Sequence, residues 1–139
     1  MIREIIFSNY RSLGPGVHVR PGRLTFLVGP NGSGKSNILD VLSFVRDAVI
    51  QGLPAAITHR NGIDSVRRRS HGRPFDIHID LDLVLPSGPA RYAFVITGDR
   101  MEEYRIKSET AFIRDEEATH TFRREGRSPC GPGPPSRRP

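Results

Sequence analysis

The stretch LTFLVGPNGSGKSNILDVL, Leu24 to Leu42, restricts the fold of this chain more than any other. Arg23 to Val28 is a nearly continuous apolar run, the type that forms a strand buried on both faces of an α/β sheet. From Lys35 to about Ile50 the apolar residues fall at Ile38, Val41, Leu42, Val45 and Val49, which is helical spacing, with Asp40, Arg46 and Asp47 facing elsewhere. Gly52 and Pro54 then stop the helix. Between strand and helix lies Gly29-Pro30-Asn31-Gly32-Ser33-Gly34-Lys35-Ser36, which satisfies G-x-x-x-x-G-K-[ST] without deviation.

Each position of that loop has a mechanical reason. Glycines at 29, 32 and 34 let the backbone take otherwise strained dihedrals, so that successive N–H groups point at phosphate oxygens. The helix that begins near Lys35 directs the positive end of its dipole at the same anion. Lys35 would reach the β- and γ-phosphates, and the Ser36 hydroxyl would ligate Mg²⁺. A chance match in a chain of this size is on the order of one in a few hundred. The setting between a buried-type strand and an amphipathic helix reduces it further. The expected ligand is therefore ATP with Mg²⁺, held by a Walker A P-loop.

The flanking segments read as β structure. Ile2 to Tyr10 predicts a first strand, and LGPGVHVRPG predicts two turns around a short strand, Val17 to Val19. PAAITHR predicts a further helical turn before a basic loop. The period then changes: Phe75, Ile77, Ile79, Leu81, Leu83 and Leu85 alternate with Asp76, His78, Asp80 and Asp82, a half-buried strand. The turn Pro86 to Pro89 leads into ARYAFVITG, completing a hairpin. EEYRIKSE, AFIRD and THTFRRE predict further short strands. Two regions result, a partial P-loop ATPase domain over 1–126 and a Pro/Gly/Arg-rich tail over 127–139. The last twelve residues hold five prolines and read as disordered.

Composition excludes some classes and leaves others open. No apolar run approaches the roughly 20 residues of a membrane span, and MIREIIFSNYR lacks the apolar stretch of a signal peptide. The lone Cys130 rules out an internal disulfide, so a cytoplasmic location is expected. Nineteen of the 21 basic residues are arginine and the net charge is +6. That balance permits contact with DNA, but the arginines are scattered, and a GC-rich genome would produce the same bias. Arg67 to Arg69, in SVRRRSHGR, could touch phosphates, although a solvated loop is the plainer reading. Asp76, His78, Asp80 and Asp82 lie about 6.5 to 7 Å apart along one strand face, too far to share one metal ion.

With its preceding strand ending FSNYRSL, the GPNGSGKSN loop resembles the N-terminal segment of ABC-type AAA-family ATPases of the SMC/RecF/OLD kind, with a RecF-like or AAA domain 21 or 15 core. Asn9-Tyr10-Arg11-Ser12 ends the first strand as in that group, the loop carries Pro30-Asn31 with Asn37 after Ser36, and LDVLSFVRDAV is similar to the helix that follows. The resemblance covers about residues 1–100. It implies the α/β fold class of a P-loop NTPase N-terminal lobe (ABC/SMC/RecF-like) with an antiparallel β meander after the P-loop helix. It also implies ATP sandwiched between two domains, a protein partner or homodimer completing the site, ATP hydrolysis, and a setting in DNA repair, chromosome maintenance or phage defence. Arg11 matches a position that often approaches the nucleotide phosphates. Gly29, Pro30, Asn31, Gly32, Ser33, Gly34, Lys35, Ser36, Asn37 and Arg11 are the resulting cofactor-binding set, with Ser36 as the metal ligand.

One departure from that pattern is large. A Walker B strand, four apolar residues followed by Asp-Glu, would place Mg²⁺ and the attacking water. In IRDEEATH, Ile113 to His120, the acids follow too short an apolar run and read as a surface turn. A signature SGG for the opposite face of a nucleotide sandwich is also missing from the 139 residues. The expectation is the front portion of a larger ATPase, which binds nucleotide but does not turn it over by itself. Its P-loop strand would need neighbours from elsewhere, leaving the isolated chain marginally stable, with no cooperative melting transition well above about 60 °C. Two other readings are a small P-loop phosphotransferase of the nucleoside kinase type and a gene remnant that never folds. Two strands ahead of the loop and a β-rich segment after it weigh against the kinase.

Overall fold

A computed structural model describes residues 1–69, 71, 75–98, 103–115 and 118–126. Its frame is a six-stranded antiparallel sheet. The strands are β1 (Ile2–Ser8), β2 (Val17–Val19), β3 (Ile77–Leu85), β4 (Gly88–Thr97), β5 (Arg105–Arg114) and β6 (Thr119–Glu125), in the spatial order β2-β1-β3-β4-β5-β6. Three helices, α1 (Lys35–Gln51), α2 (Leu53–Thr58) and α3 (Ile63–Val66), lie between β2 and β3 in the chain.

Alternation of side chains across each strand decides which residues meet the helices. Ile5 and Phe7 of β1, Ile77, Ile79 and Leu81 of β3, and Phe94 and Ile96 of β4 join one core cluster. The same cluster takes Val41, Phe44 and Val45 from α1, Ala56 and Ile57 from α2, and Ile63 and Val66 from α3. Register follows the hydrophobic pattern: Phe7 opposes Ile79, Ile79 opposes Phe94, and Ile77 opposes Ile96. A one-residue slip would turn these side chains to the other face. Phe75, expected within the alternating strand, precedes it and is exposed.

The predicted β3–β4 hairpin forms with Pro86 and Ser87 at its tip, Leu85 pairing with Gly88. Gly88 has φ +139, and a Cβ there would stand 2.2 Å from the carbonyl oxygen of Arg114, so only glycine fits. RIKSETAFIR is one continuous strand of ten residues rather than two short ones. IRDEEATH connects β5 to β6, with the Asp115 amide bonded to the Ala118 carbonyl and Arg114 opposite Thr119. β5 and β6 therefore pair as a hairpin, and Ile113 and Arg114 belong to β5 itself. The tail 127–139, with Cys130, lies outside the described residues.

Two expectations are corrected. Arg23 to Val28 joins no strand of the sheet, and Leu24, Phe26 and Val28 are 75%, 77% and 93% exposed. The β2-β1-β3 ladders leave this segment without a partner among the described residues. A strand of the kind buried on both faces needs a neighbour on each side, and none is at hand. Asp47 does not face solvent either: it is buried on α1, because Arg60 lies opposite it.

Candidate functional site

The glycine-rich loop runs from the exposed arm Leu24–Val28 into the start of α1. Gly32 and Gly34 adopt left-handed backbone, φ +82 and +91, as the motif requires. Gly29 does not have a positive φ; its constraint is space, since a Cβ would meet Ser33 Oγ at 3.1 Å. At Gly34 a Cβ would lie 2.6 Å from Leu13 Cδ2. The helix is capped by Gly34 with no side-chain acceptor and no acid in its first turn, so its leading N–H groups keep their attraction for an anion. Lys35 Nζ folds over the loop, donating to the carbonyls of Gly29 at 2.7 Å and Pro30 at 2.6 Å and to Ser33 Oγ at 3.3 Å. Ser36 and Asn31 are exposed at the rim. An ammonium, left-handed glycines and an accessible hydroxyl thus lie together at the start of α1, groups whose chemistry suits an anion and a hard cation.

The strand-end turn Asn9–Leu13 is locked against the same helix. Asn9 and Arg11 both take left-handed backbone, φ +60 and +49, a conformation uncommon for residues other than glycine. Bonds on all sides hold it: Asn9 N–H to the Gly14 carbonyl, Arg11 N–H to the Val66 carbonyl, Leu13 N–H to the Tyr10 carbonyl, and Arg68 N–H to the Asn9 carbonyl. Asn9 Nδ2 also donates to the Asp76 carbonyl. Asn37 Nδ2 donates to Ser12 Oγ at 2.7 Å, which ties turn to helix. Asn37 therefore serves the turn, and Arg11 meets α1 at Asp40, one helical turn after Ser36.

Behind Arg11 lies a chain of charges that the sequence did not single out. Tyr10 is fully buried against Phe44, ring centroids 5.6 Å apart, and its hydroxyl donates to Asp40 Oδ2 at 2.6 Å. Arg11 Nε stands 2.8 Å from the same oxygen, without hydrogen-bond alignment. Arg60, packed over the Phe44 ring, donates Nε to Asp40 Oδ1 at 3.2 Å and Nη1 to Asp47 Oδ2 at 3.0 Å. Burial and the Asp40 bond push the Tyr10 phenol well above its ordinary range, so it remains a donor. Bonds from Arg46 and Arg60 hold the Asp47 carboxyl below the usual aspartate value. For Arg60, burial opposes the charge, but Asp47, Asp40 and Tyr10 outweigh it and the guanidinium is raised. Around these groups is a polar cavity of about 420 Å³ lined by Arg11, Asp40, Asp47, His59, Arg60, Asn61 and Ser65. One sequence signal was available: Asp40 follows Ser36 by four residues and Asp47 follows Asp40 by seven, so all three share a helix face.

The remaining charged stretches resolve separately. Asp76 is bonded to Thr97 and Lys107, and Asp80 pairs with Arg91. Among the described residues, His, Cys, Asp and Glu form no cluster able to hold a metal. The basic run is not uniformly solvated. Arg67 is 4% exposed, and its three side-chain nitrogens have no hydrogen-bond partner among the described residues. Burial lowers the pKa of this guanidinium, with Asp64 and Asp76 as distant counter-charges. Arg67 cannot reach a phosphate backbone, whereas Arg69 is exposed.

Comparison with known proteins agrees with this arrangement. A family model described as AAA domain, putative AbiEii toxin, Type IV TA system, matches residues 24–129. The lipoprotein-releasing system ATP-binding protein LolD of Hyphomonas neptunium (strain ATCC 15444) is 34% identical over 70 residues, which are 47% of this chain and 31% of that protein. The chain thus spans about a third of the length of this curated relative. A solved structure from work on the ATP-driven dimerization and DNA-stimulated activation of SMC ATPases superposes with a TM-score of 0.54 at 21% identity, covering 76% of this chain and 68% of that one. The likeness is one of fold: a P-loop NTPase lobe in which an antiparallel sheet accompanies the P-loop helix. With most of its length inside the matched model, and the glycine loop, the left-handed turn and the antiparallel sheet in place, this chain belongs to the AAA-domain family of ATP-binding ATPases.

Proposed function

We propose that the chain binds Mg-ATP through a Walker A loop, Gly29–Ser36, and serves as the front portion of a larger ATPase. The observation that carries this reading is the placement of Lys35 Nζ over the left-handed glycine loop, at the uncapped start of α1. Lys35 would exchange its bonds to the Gly29 and Pro30 carbonyls for β- and γ-phosphate oxygens, Ser36 would ligate Mg²⁺, and Arg11 would face the phosphates from the turn.

Cleavage needs a carboxylate to place water and metal and a signature loop on the opposite face. The 139 residues contain neither pattern. Polypeptide beyond these 139 residues, of the same protein or of a partner, would supply them and give Leu24–Val28 its neighbouring strands, and a homodimer of such complete units would close the sandwich. ATP-driven association of two such units, with DNA as a partner and DNA repair, chromosome maintenance or phage defence as the setting in the cytoplasm, extends this reading. Among the described residues no helix is long and apolar enough to cross a membrane.

Isothermal titration of the purified chain with Mg-ATP tests the core of the reading. Lys35→Ala is expected to weaken binding by at least about tenfold, the loss of one charge-assisted phosphate contact. Equal affinity in parent and variant would reject it. Steady phosphate release by the chain alone would reject the division between binding and cleavage.

A further inference from the structure

The charge cluster behind Arg11 has a geometry that packing alone does not require, and its meaning rests on the Mg-ATP reading above. Arg11 is fixed at its backbone by the bond to the Val66 carbonyl and by the neighbouring turn. Its side chain meets Asp40 through Nε only. Neither Nη group makes a hydrogen bond among the described residues, and the side chain borders the polar cavity it shares with Asp40, Asp47, Arg60 and Asn61. With its Nε edge facing Asp40 at 2.8 Å, the guanidinium leaves its other two nitrogens as a fork, the geometry that matches phosphate oxygens.

Asp40 is unusually well restrained for this task. Oδ2 accepts the Tyr10 hydroxyl while facing Arg11, and Oδ1 accepts Arg60 Nε. Arg60 is anchored in turn by Asp47 and by the Ala56 carbonyl. With both oxygens engaged, the carboxylate has no free rotation. It stands one helical turn after Ser36, on the same face of α1. A loose salt bridge at this place would leave Arg11 a mobile surface cation; this one sets its direction.

We propose that Asp40 is a positioning residue, held by Tyr10 and Arg60, that orients Arg11 toward the phosphates of bound Mg-ATP. A structural strut between α1 and α2 would use the same Arg60 bonds, so the test must separate the two. ATP and ADP affinities of the full chain are measured for the parent, Arg11→Ala, Asp40→Asn and the double variant, with thermal melting as a control for folding. Each single variant is expected to weaken ATP roughly tenfold and ADP by less, and the double variant to be no weaker than Arg11→Ala. An Asp40→Asn loss that persists in full when Arg11 is already alanine, or that is equal for ATP and ADP, overturns the proposal. Should Asp40→Asn fail to fold, Asp40→Glu, which keeps the charge and displaces it by one methylene, carries the same cycle. A parent chain that does not bind Mg-ATP defeats the nucleotide reading itself; additive variants in a binding parent defeat only the role of Asp40.

Discussion

Two apolar β-type runs of this chain have opposite fates. Ile79 and Leu81 of β3 are buried and paired on both sides, to β1 and to β4, and Ile77, also buried, pairs with β4. Leu24, Phe26 and Val28 are as apolar, and the local pattern reads them as the more buried of the two, yet they stand in solvent. The difference is partner supply. A run of Val, Leu and Phe states a preference for burial, but only ladder neighbours and a covering layer can satisfy it. For β3 both neighbours lie within these residues; for the arm before the phosphate loop they do not.

Substitutions can break or sharpen this contrast. The largest effect is expected in the satisfied sheet: Phe7→Ala should cost about 3–5 kcal/mol, read as the shift of the urea midpoint. In the opposite direction, Arg67→Met should raise stability by about 1–4 kcal/mol, because a buried guanidinium without hydrogen bonds gives way to a well-packed apolar chain. Loss of stability in this variant would show that Arg67 has an essential counter-charge. Gly34→Ala should cost about 1–2 kcal/mol for its left-handed backbone, and it also forces Leu13 away and opens the phosphate cup.

Acid gives a shallower effect. The Arg46 and Arg60 bonds depress the Asp47 carboxyl, and Asp76 is depressed by Lys107 and Thr97 despite its burial. Such groups stabilise the fold fully above the ordinary value of 3.8 and lose that contribution as pH falls through the lower folded value. The urea midpoint should therefore decline below about pH 4, and Asp47→Asn should flatten the decline. The smallest effect is expected in the arm, where Phe26→Ser should change the stability of the chain alone by less than about 0.5 kcal/mol. A cost above about 1 kcal/mol would mean that the arm is packed in solution, and the contrast would fail.

How much was legible follows the range of the interactions. Val17–Val19, the helix from Lys35 and the β3–β4 hairpin were readable because turn residues and periodicity are properties of neighbouring positions. The left-handed bend at Gly32 and Gly34 was readable for the same reason, since the glycines lie within one turn of each other. Asp40 and Asp47 were read as solvent-facing because helical periodicity classifies acids by type, and their partner Arg60 lies 20 and 13 residues away. Tyr10 was only part of a motif string until its hydroxyl met Asp40, 30 residues on.

By itself, the order of residues determined a glycine-rich bend joined to an amphipathic helix and followed by an antiparallel meander, because backbone dihedrals and side-chain alternation are local matters. Only tertiary structure decided that the Asn9–Ser12 turn docks on α1, that Arg60 draws Asp40 and Asp47 inward, and that the Arg67 guanidinium is enclosed with no hydrogen-bond partner among the described residues. Those outcomes depend on which distant groups share a low-dielectric interior, and charge pairing there is set by proximity in space.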